Sequence, residues 1–180
     1  KPGYLENVTI TKGSVTSEVY RLGGVAGVSR EGTFKNVSYQ GNVTFTGTGG
    51  ARIGGFVGQT MEDVTCEKCT VDAVVSAEGS NVSGGFVGYV NSGTLTLKEC
   101  TAEGSLTGKD SSGGMIGEVH ASAAVKASDS SSAVTVKASN YSAGFLGRCY
   151  GTAEMTDCST SGDVTLASST SAFLGWLAHG

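Results

Sequence analysis

The chain has 180 residues, long enough to bury a core, yet 29 glycines and only 7% aromatic residues dilute that core. A formal charge of −4 with no Lys/Arg cluster disfavours nucleic acid and anionic membrane surfaces as partners. No apolar run is long enough to span a bilayer, and the start, KPGYLENVTI, lacks the basic and apolar stretches of a secretory signal, so the chain reads as a mature piece or excerpt.

Taken in chain order, the elements repeat. GGVAG occupies 23–27, GGFVG 54–58 and again 84–88, GGMIG 113–117, AGFLG 143–147, and AFLG 172–175. Measured at Gly24, Gly55, Gly85, Gly114, Gly144 and Ala172, the steps are 31, 30, 29, 30 and 28 residues. Near-constant steps mean that insertions are absorbed in turns while fixed columns persist, as stacked coils demand. Between the motifs lie alternating Thr/Ser/Val stretches such as NVTFTG, GTLTLKEC and GDVTLA, with no 3.6-residue stripe. Helix is disfavoured and short strands are predicted. Each unit also carries a spaced pattern: Val37, Gly41 and Val43; Cys100, Gly104 and Leu106; Cys158, Gly162 and Val164.

A strand this short cannot bury its apolar side alone. A coil of about thirty residues with roughly three strands can, by stacking on its neighbours at ~4.8 Å per step. The expectation is therefore an all-β protein: a parallel β-solenoid (β-helix) of about six coils, forming a single domain over 1–180. Phe56, Phe86, Met115, Phe145 and Phe173 should stand in one buried file. The next column, Val57, Val87, Ile116, Leu146 and Leu174, would face outward in a regular strand, but a glycine bend at 55 or 58 would bury both columns. The small residues Gly13, Gly41, Ala73, Gly104, Val134 and Gly162 are expected inside, where opposite walls approach.

Units such as GGVAGVSREGTFKNVSYQGNV and GGFVGYVNSGTLTLKECTAEGSL resemble the GLUG-type repeats of bacterial surface proteins, over essentially the whole chain. The resemblance departs at Val37, where the family has cysteine, and in the HASAAVKASDSSSAVTV unit, which lacks both the Gly-Thr start and the cysteine. It implies residence in a large secreted or wall-attached bacterial protein, extracellular or at the cell surface, such as an adhesin or a nonpeptidase region of an immunoglobulin A peptidase. It brings no catalytic residue.

The columns offer few sites. Asn36, Lys68, Glu99, Asp129 and Asp157 should stack on the outer face, placing three carboxylates, Glu99, Asp129 and Asp157, on successive coils, where Ca²⁺ would relieve their repulsion. The competing reading is solvated charge, because no DxDxDG-like loop is present. Cys66 and Cys69 form half of a zinc or redox motif whose other half is missing. With Cys100 and Cys158, Cys69 instead fits a column of small buried thiols, and Cys149 a second apolar column. An odd count of five excludes complete intrachain pairing.

His120 and His179 sit outside any repeated column and have no triad partner, and Lys68 and Lys137 are the only nearby bases for a polysaccharide-cleaving reading of the acidic ladder. The file Thr16, Thr44, Ser76, Thr107, Lys137 and Thr165 resembles an ice-binding ladder, but lysine interrupts it. Val28, Gln59, Tyr89, Glu118, Arg148 and Trp176 form a column too mixed for sugar stacking and are expected at the surface. Five sequons, at Asn7, Asn36, Asn42, Asn81 and Asn140, reflect abundant Ser and Thr and carry no localisation.

The expected function is that of a noncatalytic repeat segment: a stiff spacer or adhesive face binding a host or cell-surface glycan or protein, without membrane insertion. The alternative is an accessory region of a secreted peptidase or glycan-acting enzyme. Uncapped ends predict that flanking repeats or domains of the same polypeptide cover them.

Overall fold

The computed structural model describes residues 2–166 and 170–178. The chain winds into six parallel coils, and each strand pairs with its equivalents one coil away. The strands form one twelve-stranded sheet and two six-stranded sheets. The third and fourth coils show the plan. The third runs through strands Val64–Glu67, Thr70–Ser76, Ser80–Gly84 and Val87–Val90, and the fourth through Gly93–Lys98, Thr101–Thr107, Ser111–Gly113 and Ile116–Val119. These two coils have four strand segments, whereas the first two have the three that the sequence suggests, because Gly3–Ser17 and Gly32–Phe45 each run unbroken through the corner that divides the later strands. The extra segment comes from the corner at Lys68 and Glu99, while in every coil the glycine motif folds an arm back on itself and joins a strand of one six-stranded sheet to a strand of the other.

The sequence-derived columns fall into register. Val57 pairs with Val87, and Val87 with Ile116. The file Thr16, Thr44, Ser76, Thr107, Lys137 and Thr165 is paired coil by coil. In the atypical fifth unit the strand is broken into Ser131–Ser132 and Thr135–Ala138, with Val134 buried between them.

The aromatic file forms as expected. Phe56 and Phe86 stack with ring centroids 4.5 Å apart and planes 14° from parallel; Phe145 and Phe173 stack at 4.8 Å and 11°. Met115 continues the file between them and is fully buried. The adjacent Val/Ile/Leu column is buried as well, and the backbone shows why. In a regular strand, consecutive N–H groups point to opposite neighbours. Here Phe56 N–H and Val57 N–H both donate to Phe86 O, at 2.9 and 3.0 Å, and Phe86 and Val87 do the same to Met115 O. Two successive N–H groups aimed at one carbonyl break the period-two phase, so both side chains turn inward.

The outer glycines of the motif set how close the two limbs of this fold-back come. A Cβ on Gly54 would lie 2.0 Å from Val57 O, and one on Gly58 would lie 2.5 Å from Leu22 O. The limbs therefore pack backbone to backbone, and only hydrogen fits between them. The column of small residues has a related cause, though not the expected one. A Cβ on Gly41 would meet Gly13 O at 2.0 Å, and one on Gly104 would meet Ala73 O at 2.2 Å. At Gly41, Gly104 and Gly162 the obstruction is the backbone of the neighbouring coil rather than the opposite wall, and at Gly13 it is the Tyr39 ring.

Candidate binding groove

The expected outer ladder lies where the twelve-stranded sheet turns a corner. Asn36, Lys68, Glu99, Asp129 and Asp157 all have left-handed backbone, with φ between 50° and 53°, and Asn7 extends the series at 56°. Asn and Asp tolerate this conformation better than most residues, which explains their enrichment there without any ligand. Glu99, Asp129 and Asp157 are exposed. Along the ladder, Asn36 Nδ2 donates to Asn7 Oδ1 at 2.7 Å, and Lys68 Nζ approaches Glu99 Oε2 at 3.9 Å. Among the described residues no three His, Cys, Asp or Glu side chains converge as a metal would need.

The cysteine column has a structural task at the same corner. Sγ of Cys69, Cys100 and Cys158 donates to the carbonyl two residues earlier, Glu67 O, Lys98 O and Thr156 O, each at 3.4 Å. In the unit that lacks the cysteine, Ser130 Oγ makes the same bond to Ser128 O at 2.8 Å. Lys98 O, Ser128 O and Thr156 O also accept a backbone N–H from the neighbouring coil, so the thiol or hydroxyl takes a second lone pair and gives its own buried polar hydrogen a partner. The CxxC spacing follows from this bend: Cys66 is the last inward-facing residue of the strand Val64–Glu67, Lys68 makes the left-handed turn, and Cys69 faces inward again. All five cysteines are free. Hydrogen bonding to the Cys69 sulfur, together with burial, holds the Cys66 and Cys100 thiols above their ordinary range.

His120 Nδ1 and Ser122 Oγ lie 2.8 Å apart, but Ser122 N–H also donates to His120 Nδ1 and Ser122 Oγ donates to Asn91 O. This is a local turn on an exposed edge, and no ion pair orients the ring among the described residues. His179 lies outside the described residues.

The mixed column Gln59, Tyr89, Glu118, Arg148 and Trp176 differs from its expectation as plain surface. Gln59 and Tyr89 are only 4% and 7% exposed, because a second column faces them from the other limb. That second column is Arg21, Arg52, Val82, Ser111 and Tyr141; the first four members are paired in register, and Tyr141 directly precedes the next paired residue. Contacts cross between the columns along the stack. Arg21 Nε donates to Gln59 Oε1 at 2.6 Å, and the Arg52 guanidinium lies 4.5 Å from the Tyr89 ring centre. Ser111 Oγ donates to Glu118 Oε2 at 2.7 Å, and the Arg148 guanidinium lies 3.7 Å over Tyr141. Arg148 also pairs with Glu118 at 3.8 Å and stands 5.4 Å from Trp176, whose indole is edge-on to Tyr150 at 4.9 Å.

Two cavities open along this seam, of about 360 and 380 Å³, and both are bordered by Gly50 and Arg52. Gly50 and Arg52 stand between them, so the two follow one another along the seam across the coils. Its charge is uneven. Arg148 is paired with Glu118, and Asp110 Oδ1 accepts from Asn140 Nδ2 at 2.9 Å. Among the described residues, Arg21 and Arg52 have no carboxylate within ion-pair distance. Burial pushes the Tyr89 phenol up, the Glu118 charge adds to this, and the Arg52 guanidinium opposes it.

A signal for the groove does exist in the sequence. The facing residues lie seven apart across each glycine motif, as in Arg52 and Gln59, Val82 and Tyr89, Ser111 and Glu118, and Tyr141 and Arg148. A search down single columns misses a pairing between columns. No family model matches the chain, and neither a curated protein nor a solved structure matches it.

Proposed function

We propose that this chain is a noncatalytic repeat segment of a bacterial surface or secreted protein, a stiff solenoid that presents the limb groove as an adhesive face. The observation carrying this reading is the groove itself: five successive coils contribute aromatic, guanidinium and amide side chains to two cavities that share Gly50 and Arg52. Stiffness follows from continuous parallel pairing of every coil with its neighbours. The resemblance of the units to GLUG-type repeats supports the same setting. Fold by itself assigns no activity, so the reading rests on the site.

The test is binding of the 180-residue protein to immobilised glycans and extracellular-matrix glycoproteins, compared with a Tyr89→Ala, Arg148→Ala variant of unchanged circular dichroism. Retention that falls at least tenfold in the variant is expected. Equal retention by both proteins, or none on any surface, overturns the adhesive face and leaves a spacer.

A further inference from the structure

We infer that the groove takes a carboxylated sugar unit of an acidic glycan, held by Arg21 and Arg52 in the first cavity with the chain continuing along the seam into the second. The inference deepens the adhesive reading and rests on it.

Three features of the groove converge on that chemistry. First, the first cavity is bordered by two guanidiniums that lack a carboxylate partner, within a chain of net charge −4. Guanidinium is the group best shaped to bind a carboxylate through two parallel N–H donors. Both are held in place without using up that capacity: Arg21 through Nε on Gln59, and Arg52 through Nη1 on the Gly50 and Ala51 carbonyls while its plane lies over Tyr89. An ionic ligand of the opposite sign completes the site at little ordering cost.

Second, the same cavity is lined by Tyr20, Tyr89, Gln59 and Asn91. Tyr20 is 69% exposed, a large aromatic face standing free at the rim. Aromatic faces accept the apolar side of a sugar ring, and side-chain amides serve its hydroxyls. An acidic peptide would use the arginines but would leave this aromatic and amide lining without a task.

Third, Asn81 and Arg148, which line the second cavity, each carry a buried polar atom without a hydrogen-bond partner in the protein, Asn81 Oδ1 and Arg148 Nε. One is an acceptor and the other a donor. A sugar hydroxyl is both at once, and buried polar atoms are ordinarily satisfied. The repeat of the coils along the groove, ~4.8 Å, is close to the length of one sugar residue, so a linear glycan can keep step with it.

The experiment measures binding of the full 180-residue chain by calorimetry at 0.15 M salt. The probes are tetragalacturonate, sialyllactose, neutral maltotetraose and tetraglutamate. Tetragalacturonate or sialyllactose is expected to bind at least tenfold tighter than maltotetraose and tetraglutamate, and whichever of the two binds identifies a uronate or a sialate as the carboxylate source. The Arg21→Gln, Arg52→Gln variant should lose that preference at least tenfold. Arg21→Gln alone, on an exposed side chain, should lose part of it, which guards against a folding defect at Arg52. The inference is overturned if neither acidic glycan binds, if maltotetraose or tetraglutamate binds as well, or if the double variant binds undiminished. Retention on other immobilised glycans that still depends on Tyr89 and Arg148 would then leave the adhesive reading standing while this one fails.

Discussion

At the residue scale, left-handed corners and buried donors decide most of what looks like chemistry. The acidic ladder and the cysteine column are two sides of one turn: the residue with φ near 50° faces water, and the next residue turns inward and donates to a carbonyl. Sequence revealed both columns, because their spacing repeats, but not the reason for them, because backbone conformation is not written in side-chain identity. Cys149 gives a measurable consequence. It is wholly buried, and burial raises its thiol above about 9, the value of an unfolded cysteine. A folded-state value above the unfolded one contributes stability that is fully present below the unfolded value and is lost as pH rises through the folded one. The melting temperature should therefore hold through neutral pH and decline above about pH 9, with a shallower decline in Cys149→Ala. Thermal melts at stepped pH check this, and an unchanged slope in the variant would contradict it.

At the element scale, the fold-back of two limbs is what turns a plain coil into one with a groove. Its walls depend on hydrogen at the glycine positions. A Cβ on Gly84 would lie 2.0 Å from Val87 O and 3.0 Å from Gly117 N, both backbone atoms that cannot swing aside. Gly84→Ala should cost about 2–3 kcal/mol in denaturant unfolding. Because the limbs must part to admit the methyl group, the variant should also bind weakly in the groove. Gly50→Ala is the control. It too borders the groove, but the nearest atom to its added Cβ is the end of the flexible Arg52 side chain at 3.8 Å, so stability should change little.

At the scale of the whole molecule, the solenoid is a one-dimensional stack in which each coil is shielded by its two neighbours. Side chains of the middle coils, including Phe56, Phe86 and Met115, are fully buried, whereas the strands Gly3–Ser17 and Thr152–Thr156 are exposed or half-buried throughout. Amide hydrogen exchange on the 180-residue protein should accordingly be slowest at Phe86 and Val87 and quicken toward both outer coils. Uniform protection along the chain would argue for a single cooperative block instead.

The sequence by itself determined the period, the number of coils, the parallel stacking and the membership of each column, because in a solenoid every layer repeats the one before and a column is a fixed residue spacing. It also placed the Phe file in the core, since large apolar side chains at one position per coil can be buried only against one another. Only the tertiary structure decided that the glycine motif reverses the chain, that two adjacent apolar columns both turn inward, and that Arg52 confronts Gln59 and Tyr89 across a cleft. The reason is physical. Stacking links residues one period apart and can be counted along the chain, whereas the groove depends on how sharply each coil bends within its own plane, which is set by φ and ψ at a few glycines and by two N–H groups sharing one carbonyl.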